Sequence, residues 1–112
     1  MSSFEILEPG GRWTSGRYRE VAVLPIADQD VRRVFGTELI RGTEESLGVW
    51  HAVGFRMFGS DLAELIHYPS SPGPPGYILR LDHNALIEPA FSEVLSLFGL
   101  QRSALVWVAG GA

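Results

Sequence analysis

The side chains best suited to chemistry in this chain are its three histidines, His51, His67 and His83. His83 lies in Asp82-His83-Asn84, where three functional side chains adjoin at the expected end of a strand. A carboxylate beside an imidazole suits general acid–base work, while Asp and Asn are equally ordinary turn formers. His51 with Glu64, placed on one face of the expected hairpin, offers a second candidate base. Neither candidate has an evident partner set. The sequence contains no Cys, no Lys, no GxSxG, no HExxH and no Gly-rich phosphate loop, so the usual nucleophile, zincin and nucleotide signatures are missing.

Whether two histidines can meet depends on the stretch that carries them, Leu47 to Asp82. Gly59-Ser60 separates two apolar runs, and a Gly there suits a type II′ two-residue turn. With that turn, Phe58 faces Asp61. Met57, Phe55, Val53, His51 and Val49 then share the core face with Leu62, Glu64, Ile66 and Tyr68. Phe58, Arg56, Gly54, Ala52 and Trp50 share the other face with Asp61, Ala63, Leu65 and His67. Direction alternates along a strand, so this register separates His51 from His67 and argues against a shared metal. It sets His51 against Tyr68, and leaves His67 beside Trp50 as a surface pair able to anchor a partner. No cofactor is expected.

Charge narrows the classes further. Thirteen acidic residues against nine basic ones give −4, which disfavours general affinity for a nucleic-acid backbone. Trp13 flanked by Arg12 and Arg17 invites stacking on a single strand, but two arginines in an acidic chain are a thin basis for it. Every basic residue is Arg, a pattern that codon bias in a GC-rich bacterial or phage genome explains. Two acidic pairs stand out, Asp28 with Asp30 and Glu44 with Glu45. The first suits a helix start, where carboxylates complement the dipole; either could meet a basic surface on a partner. No apolar run is long enough to span a membrane, and the start lacks a signal-peptide pattern. Without cysteine there are no disulfides. A cytoplasmic protein with no membrane and no nucleic-acid partner is expected.

The elements that must hold these residues follow in order. Phe4 to Leu7 reads as a short strand, and Glu8-Pro9-Gly10-Gly11 as a turn. Tyr18 to Ile26 reads as a strand ended by Pro25. Asp28 is expected to cap a short helix from Gln29 to Phe35, stopped by Gly36. Thr37 to Ser46 reads as a short strand or turn, then an exposed loop carrying Glu44 and Glu45. Residues 69–76, rich in Pro and Gly, form a stiff connection, and Tyr77 to Asp82 resumes the sheet with Tyr77, Leu79 and Leu81 on one side. Glu88-Pro89 opens the longest helix, whose apolar stripe runs Ile87, Phe91, Val94, Leu95, Phe98, with Gly99 at its stop. Gln101 to Ala109 reads as a last strand, buried or central. The expected fold is a single α+β domain over residues 1–112: an antiparallel sheet of five to six strands with one long helix on one face and one short helix.

In chain length, in its acidic loops at Asp28/Asp30 and Glu44/Glu45, and in its lack of motifs, the chain resembles the immunity proteins of bacterial polymorphic-toxin and contact-dependent growth inhibition systems. That group shares no common signature, so no functional residue carries over from it. The resemblance implies a protein-binding inhibitor that neutralises a cognate toxin, with a nuclease as the expected target. The partner-binding candidates are Asp28, Asp30, Glu44, Glu45, Trp50 and His67. Two other classes remain: a small acid–base enzyme using His83 and Asp82, and a module that oligomerises through a sheet edge or through the Trp50/His67 surface.

Overall fold

The computed structural model describes residues 4–6, 18–36, 39–46, 48–57, 61–70, 76–82, 87–105 and 107–108. Arg12, Trp13, Arg17, the Glu8-to-Gly11 turn, Gly59-Ser60, residues 71–75, His83 and Asn84 lie outside them. Within the described residues the strands are β1 (Phe4–Ile6), β2 (Tyr18–Leu24), β3 (Ile40–Glu44), β4 (Gly48–Met57), β5 (Asp61–His67), β6 (Tyr77–Asp82) and β7 (Trp107–Val108). The helices are α1 (Asp28–Phe35) and α2 (Ile87–Phe98), with a 3-10 turn at Arg102–Ala104. All pairings are antiparallel, in the order β1-β4-β5-β6-β2-β7, with β3 also on β4. The expected α+β class and its two helices are thus present. Among the described residues no helix is long and apolar enough to cross a membrane.

One face of the sheet meets the helices. Val53, Phe55, Ala63, Leu65, Leu79 and Leu81 pack there with Val31 and Phe35 of α1 and Ala90, Phe91, Val94 and Leu95 of α2. Strand alternation forms this face, because Val53 and Phe55 of β4, Ala63 and Leu65 of β5, and Leu79 and Leu81 of β6 are spaced two apart and point the same way. Phe35 ties the two helices to the sheet, its ring 4.7 Å from Phe55 and 6.1 Å from Phe98. Both helices begin and end where the local chemistry allows. Pro89 falls in the first turn of α2, where its missing N–H costs nothing. Gly36 closes α1 in the left-handed region at φ 66°, its N–H donating to the Arg32 carbonyl. The Leu100 N–H closes α2 on the Leu95 carbonyl at 2.9 Å.

The hairpin departs from its expected register by one residue. His51 pairs with His67, Val53 with Leu65, Phe55 with Ala63 and Met57 with Asp61, which leaves residues 58–60 as the connection. A two-residue turn would have paired Phe58 with Asp61. The observed register turns all of β5 over. It carries Ala63 and Leu65 into the core and takes Glu64 to the opposite face, across from Gly54. Core packing supplies the reason. Leu65 and Ala63 continue the apolar rows of Leu79 and Leu81, whereas the two-residue register would set Glu64 under the helices.

The opposite face holds a smaller apolar cluster of Ala52, Ile66 and Tyr68, with Trp50 and Ile78 against it. Beside it, Arg80 is nearly buried, with Nη1 3.3 Å from Glu64 and Nη2 3.2 Å from Glu20. Its guanidinium also lies 4.5 Å from the Tyr18 ring centroid. The last strand is a second correction. Instead of a central strand across Gln101–Ala109, the chain makes a 3-10 turn and then a short β7 that, among the described residues, pairs with β2 alone. Its apolar run reflects packing at the sheet's edge, where Leu105 and Val108 are half-buried against the core.

Candidate functional site

The register that overturns the expected hairpin also builds the site. His51 on β4 and His67 on β5 stand directly opposite each other, so their side chains leave the same face. Their rings meet edge to face with centroids 6.5 Å apart. Next along the sheet, Tyr77 at the start of β6 stacks on His67, at 5.2 Å between centroids. The first turn of α1 comes down on this row and contributes Asp28.

Asp28 joins the group into one circuit. Its Oδ2 lies 2.9 Å from Nδ1 of His51, and its Oδ1 accepts a short 2.5 Å hydrogen bond from the Tyr77 hydroxyl. His67 Nδ1 lies 2.8 Å from the Gly76 carbonyl oxygen. That oxygen can only accept, so Nδ1 of His67 carries its proton and donates. The carboxylate imposes the same tautomer on His51. The Nε2 of each ring therefore keeps its lone pair in the neutral form, and among the described residues neither Nε2 has a hydrogen-bond partner. Gly76 is held close to β2 at φ 124°, where a Cβ would run into the Leu24 carbonyl. Only glycine sets the accepting carbonyl at this place.

Burial pushes the Asp28 carboxyl up, but the hydrogen bonds from Tyr77 and His51 and the charges of both imidazoles outweigh it, and the group sits below the ordinary carboxylate value. Burial pushes the Tyr77 phenol far up, and the bond it gives to Asp28 and that carboxylate's charge push the same way. The phenol is a fixed donor at any ordinary pH. These groups open onto a cavity of about 460 Å³ lined by Ala27, Asp28, Gln29, Arg32, His51, His67 and Pro69. Arg41 on β3 is paired directly across from His51 and so shares its face. An imidazole steered by a carboxylate, with a second imidazole and guanidinium groups nearby, can act as a base or as a donor to an anion. Among the described residues no group of three or more His, Asp or Glu side chains is arranged to hold a metal ion.

No protein-family model, curated protein or solved structure matches the chain.

The structure joins some of the expected partner residues and separates others. Asp28 and His67 belong to the circuit. Asp30 is turned back on its own helix, where it accepts from the Ala27 N–H at 2.9 Å and from Arg33 at 3.0 Å. Ala27, not Asp28, is therefore the residue at the N-cap. Glu44 ends β3 and Glu45 stands in the following turn, both exposed. Trp50 leaves β4 on the face opposite His51, half-buried against Ala52 and Ile66, so the expected Trp50–His67 surface pair does not exist. The proposed sharing of a face by His51 and Glu64 fails for the same reason. The expected His51–Tyr68 contact gives way to His51–His67. His83 and Asn84, the partners of Asp82 in the expected acid–base cluster, lie outside the described residues. Arg32, Arg41 and Tyr77 also belong to the site's surroundings, and no motif in the sequence marks them. The signal that finds them is a connection over 58–60, which sets 51 against 67 and calls for an anchor at the N-terminus of the nearest helix.

Proposed function

We propose that the protein is a protein-binding inhibitor of the immunity type, which neutralises a cognate bacterial toxin, a nuclease by expectation, in the cytoplasm. The observation that carries this reading is the outer end of the β3–β4 hairpin. Glu44 and Glu45 are exposed there, and Val49, across the hairpin from Thr43, is 45 % exposed. Exposed carboxylates at a hairpin end suit a basic partner surface, such as a cleft that binds phosphates. Among the described residues β3 pairs with β4 alone, so its outer edge has backbone donors and acceptors to offer an added strand. The reading narrows the acidic pairs to one, because Asp28 and Asp30 have internal partners.

The test is to co-express this chain with the C-terminal region encoded by the adjacent upstream gene. A region toxic alone, and harmless in a complex that co-purifies, is the expected result. Reversing both charges (Glu44→Arg with Glu45→Arg) should weaken the complex by about tenfold or more, mainly through slower association. The fold should be untouched, since exposed substitutions usually change stability by less than about 0.5 kcal/mol. No complex with the neighbour removes the inhibitor reading; a complex indifferent to the reversal removes the acidic turn as its site.

A further inference from the structure

We propose that the cavity between the first turn of α1 and the facing ends of β4 and β5 is a binding site for the phosphate group of a small molecule. The inference is independent of the inhibitor reading and concerns a different surface.

Local charge is the first argument. The chain as a whole carries −4, yet the groups around this cavity run the other way. Arg32 from α1, His51 from β4 and His67 from β5 line it, Arg41 from β3 shares the face of His51, and Tyr77 from β6 stacks on His67. Among the described residues the one carboxylate lining it is Asp28, and both its oxygens already accept hydrogen bonds, from His51 and Tyr77. A cluster of two guanidiniums and two imidazoles around one satisfied carboxylate is an anion site in an acidic protein.

Orientation is the second argument. Each imidazole has its Nδ1 anchored, one on Asp28 and one on Gly76. Each Nε2 is thereby left for a ligand. Once protonated, both Nε2 atoms donate, and with the arginines they make charge-assisted bonds to oxyanion oxygens. The rings need no further ordering for this, because Tyr77 holds His67 by stacking and Asp28 by a hydrogen bond.

A phosphate group presents several acceptor oxygens, so the two Nε2 atoms and the guanidiniums can each meet a different one. The cavity volume of about 460 Å³ is larger than one phosphate needs, and falls within the range of about 300–1,000 Å³ that small-molecule sites occupy. The ligand therefore has room for an organic portion attached to the phosphate.

The experiment uses the whole protein, with ¹⁵N-labelled histidine followed by NMR while inorganic phosphate, AMP or zinc chloride is added. Phosphate and AMP should both shift the His51 and His67 ring signals saturably. Arg41→Gln, an exposed change, and Arg32→Gln should each weaken binding by about threefold to tenfold. Thermal melts would establish that both variants fold, and Arg41→Gln keeps the test open if Arg32→Gln does not. AMP binding more tightly than phosphate supports a nucleotide-like ligand; equal binding supports recognition of the phosphate group alone. Absence of any shift at millimolar phosphate, affinity unchanged in both arginine variants, or a response to zinc alone would overturn the proposal.

Discussion

Tyr77 is the residue on which the site's geometry and the protein's pH response converge. Asp28 is held below the ordinary carboxylate value in the fold, so the unfolded chain takes up a proton first as acid is added. The stability contributed by this carboxylate is present above its unfolded pKa of about 3.9 and is lost as pH falls through the lower folded value. Tyr77 has the opposite sign. Its phenol is raised by burial and by Asp28, so the folded chain keeps a proton that the unfolded chain gives up. Stability should therefore decline as pH rises past about 10. Tyr77→Phe removes a hydrogen bond to a charged acceptor, and should cost about 1.5–3 kcal/mol near neutral pH. It should also flatten the alkaline decline, leaving only what Tyr68, raised by its own burial, still contributes. The acid limb should become shallower as Asp28 loses a donor. Urea unfolding at a series of pH values measures all three. An alkaline limb of unchanged slope in the variant would mean that Tyr77 is not its source.

At the scale of elements, β5 and β6 meet through a buried charge pair on the face away from the helices. Glu64 is fully buried and Arg80 is 7 % exposed, and they pair directly across the two strands. Removing one partner leaves the other charge buried without its cross-strand counterpart, so Arg80→Met should cost about 3–5 kcal/mol, and Glu64→Met less, because Glu20 still pairs with Arg80. The double Met variant should cost less than the sum and less than the worse single change, because two apolar side chains can lie against Ile66 and Ile78. A strictly additive cycle in chemical denaturation would show that the two charges do not depend on each other. The same pair explains what a reader of the sequence could and could not see. The apolar stripe of Phe91, Val94, Leu95 and Phe98 marks α2, and Gly36 marks the end of α1, because helix periodicity and caps are local signals. The row Tyr77, Leu79, Leu81 is legible for the same reason. Register is not local. Gly59-Ser60 favours a two-residue turn, and that choice places Glu64 in the core and separates the histidines. The competing signal lies in another strand: Arg80, alone on the apolar β6, needs a carboxylate opposite it, and only the longer connection supplies Glu64. Trp107 and its neighbours mislead in a similar way, since an apolar run is the same whether the strand is central or lies on an edge.

For the molecule as a whole, the strand order predicts where the fold opens. β5 and β6 have strands on both sides, while β3 and β7 have one neighbour each among the described residues. Amide exchange should be slowest at Leu65, Ile66 and Leu79, and fastest in residues 40–44 and 107–108. Exchange in β3 as slow as in β5 would mean that its outer edge is covered, which would remove it as a place for a partner to add a strand. The ends of the sheet thus have different work: the middle carries the stability, and the β3–β4 side carries both proposed binding surfaces. The connection at residues 58–60 governs which surfaces exist at all. It acts as a reading frame for β5. Shorten it by one residue and every side chain from Ala63 to His67 is translated onto the wrong side: leucine meets arginine, glutamate meets the helices, and the two imidazoles no longer share a face. A deletion there would erase the cavity's chemistry without altering a single residue that lines it.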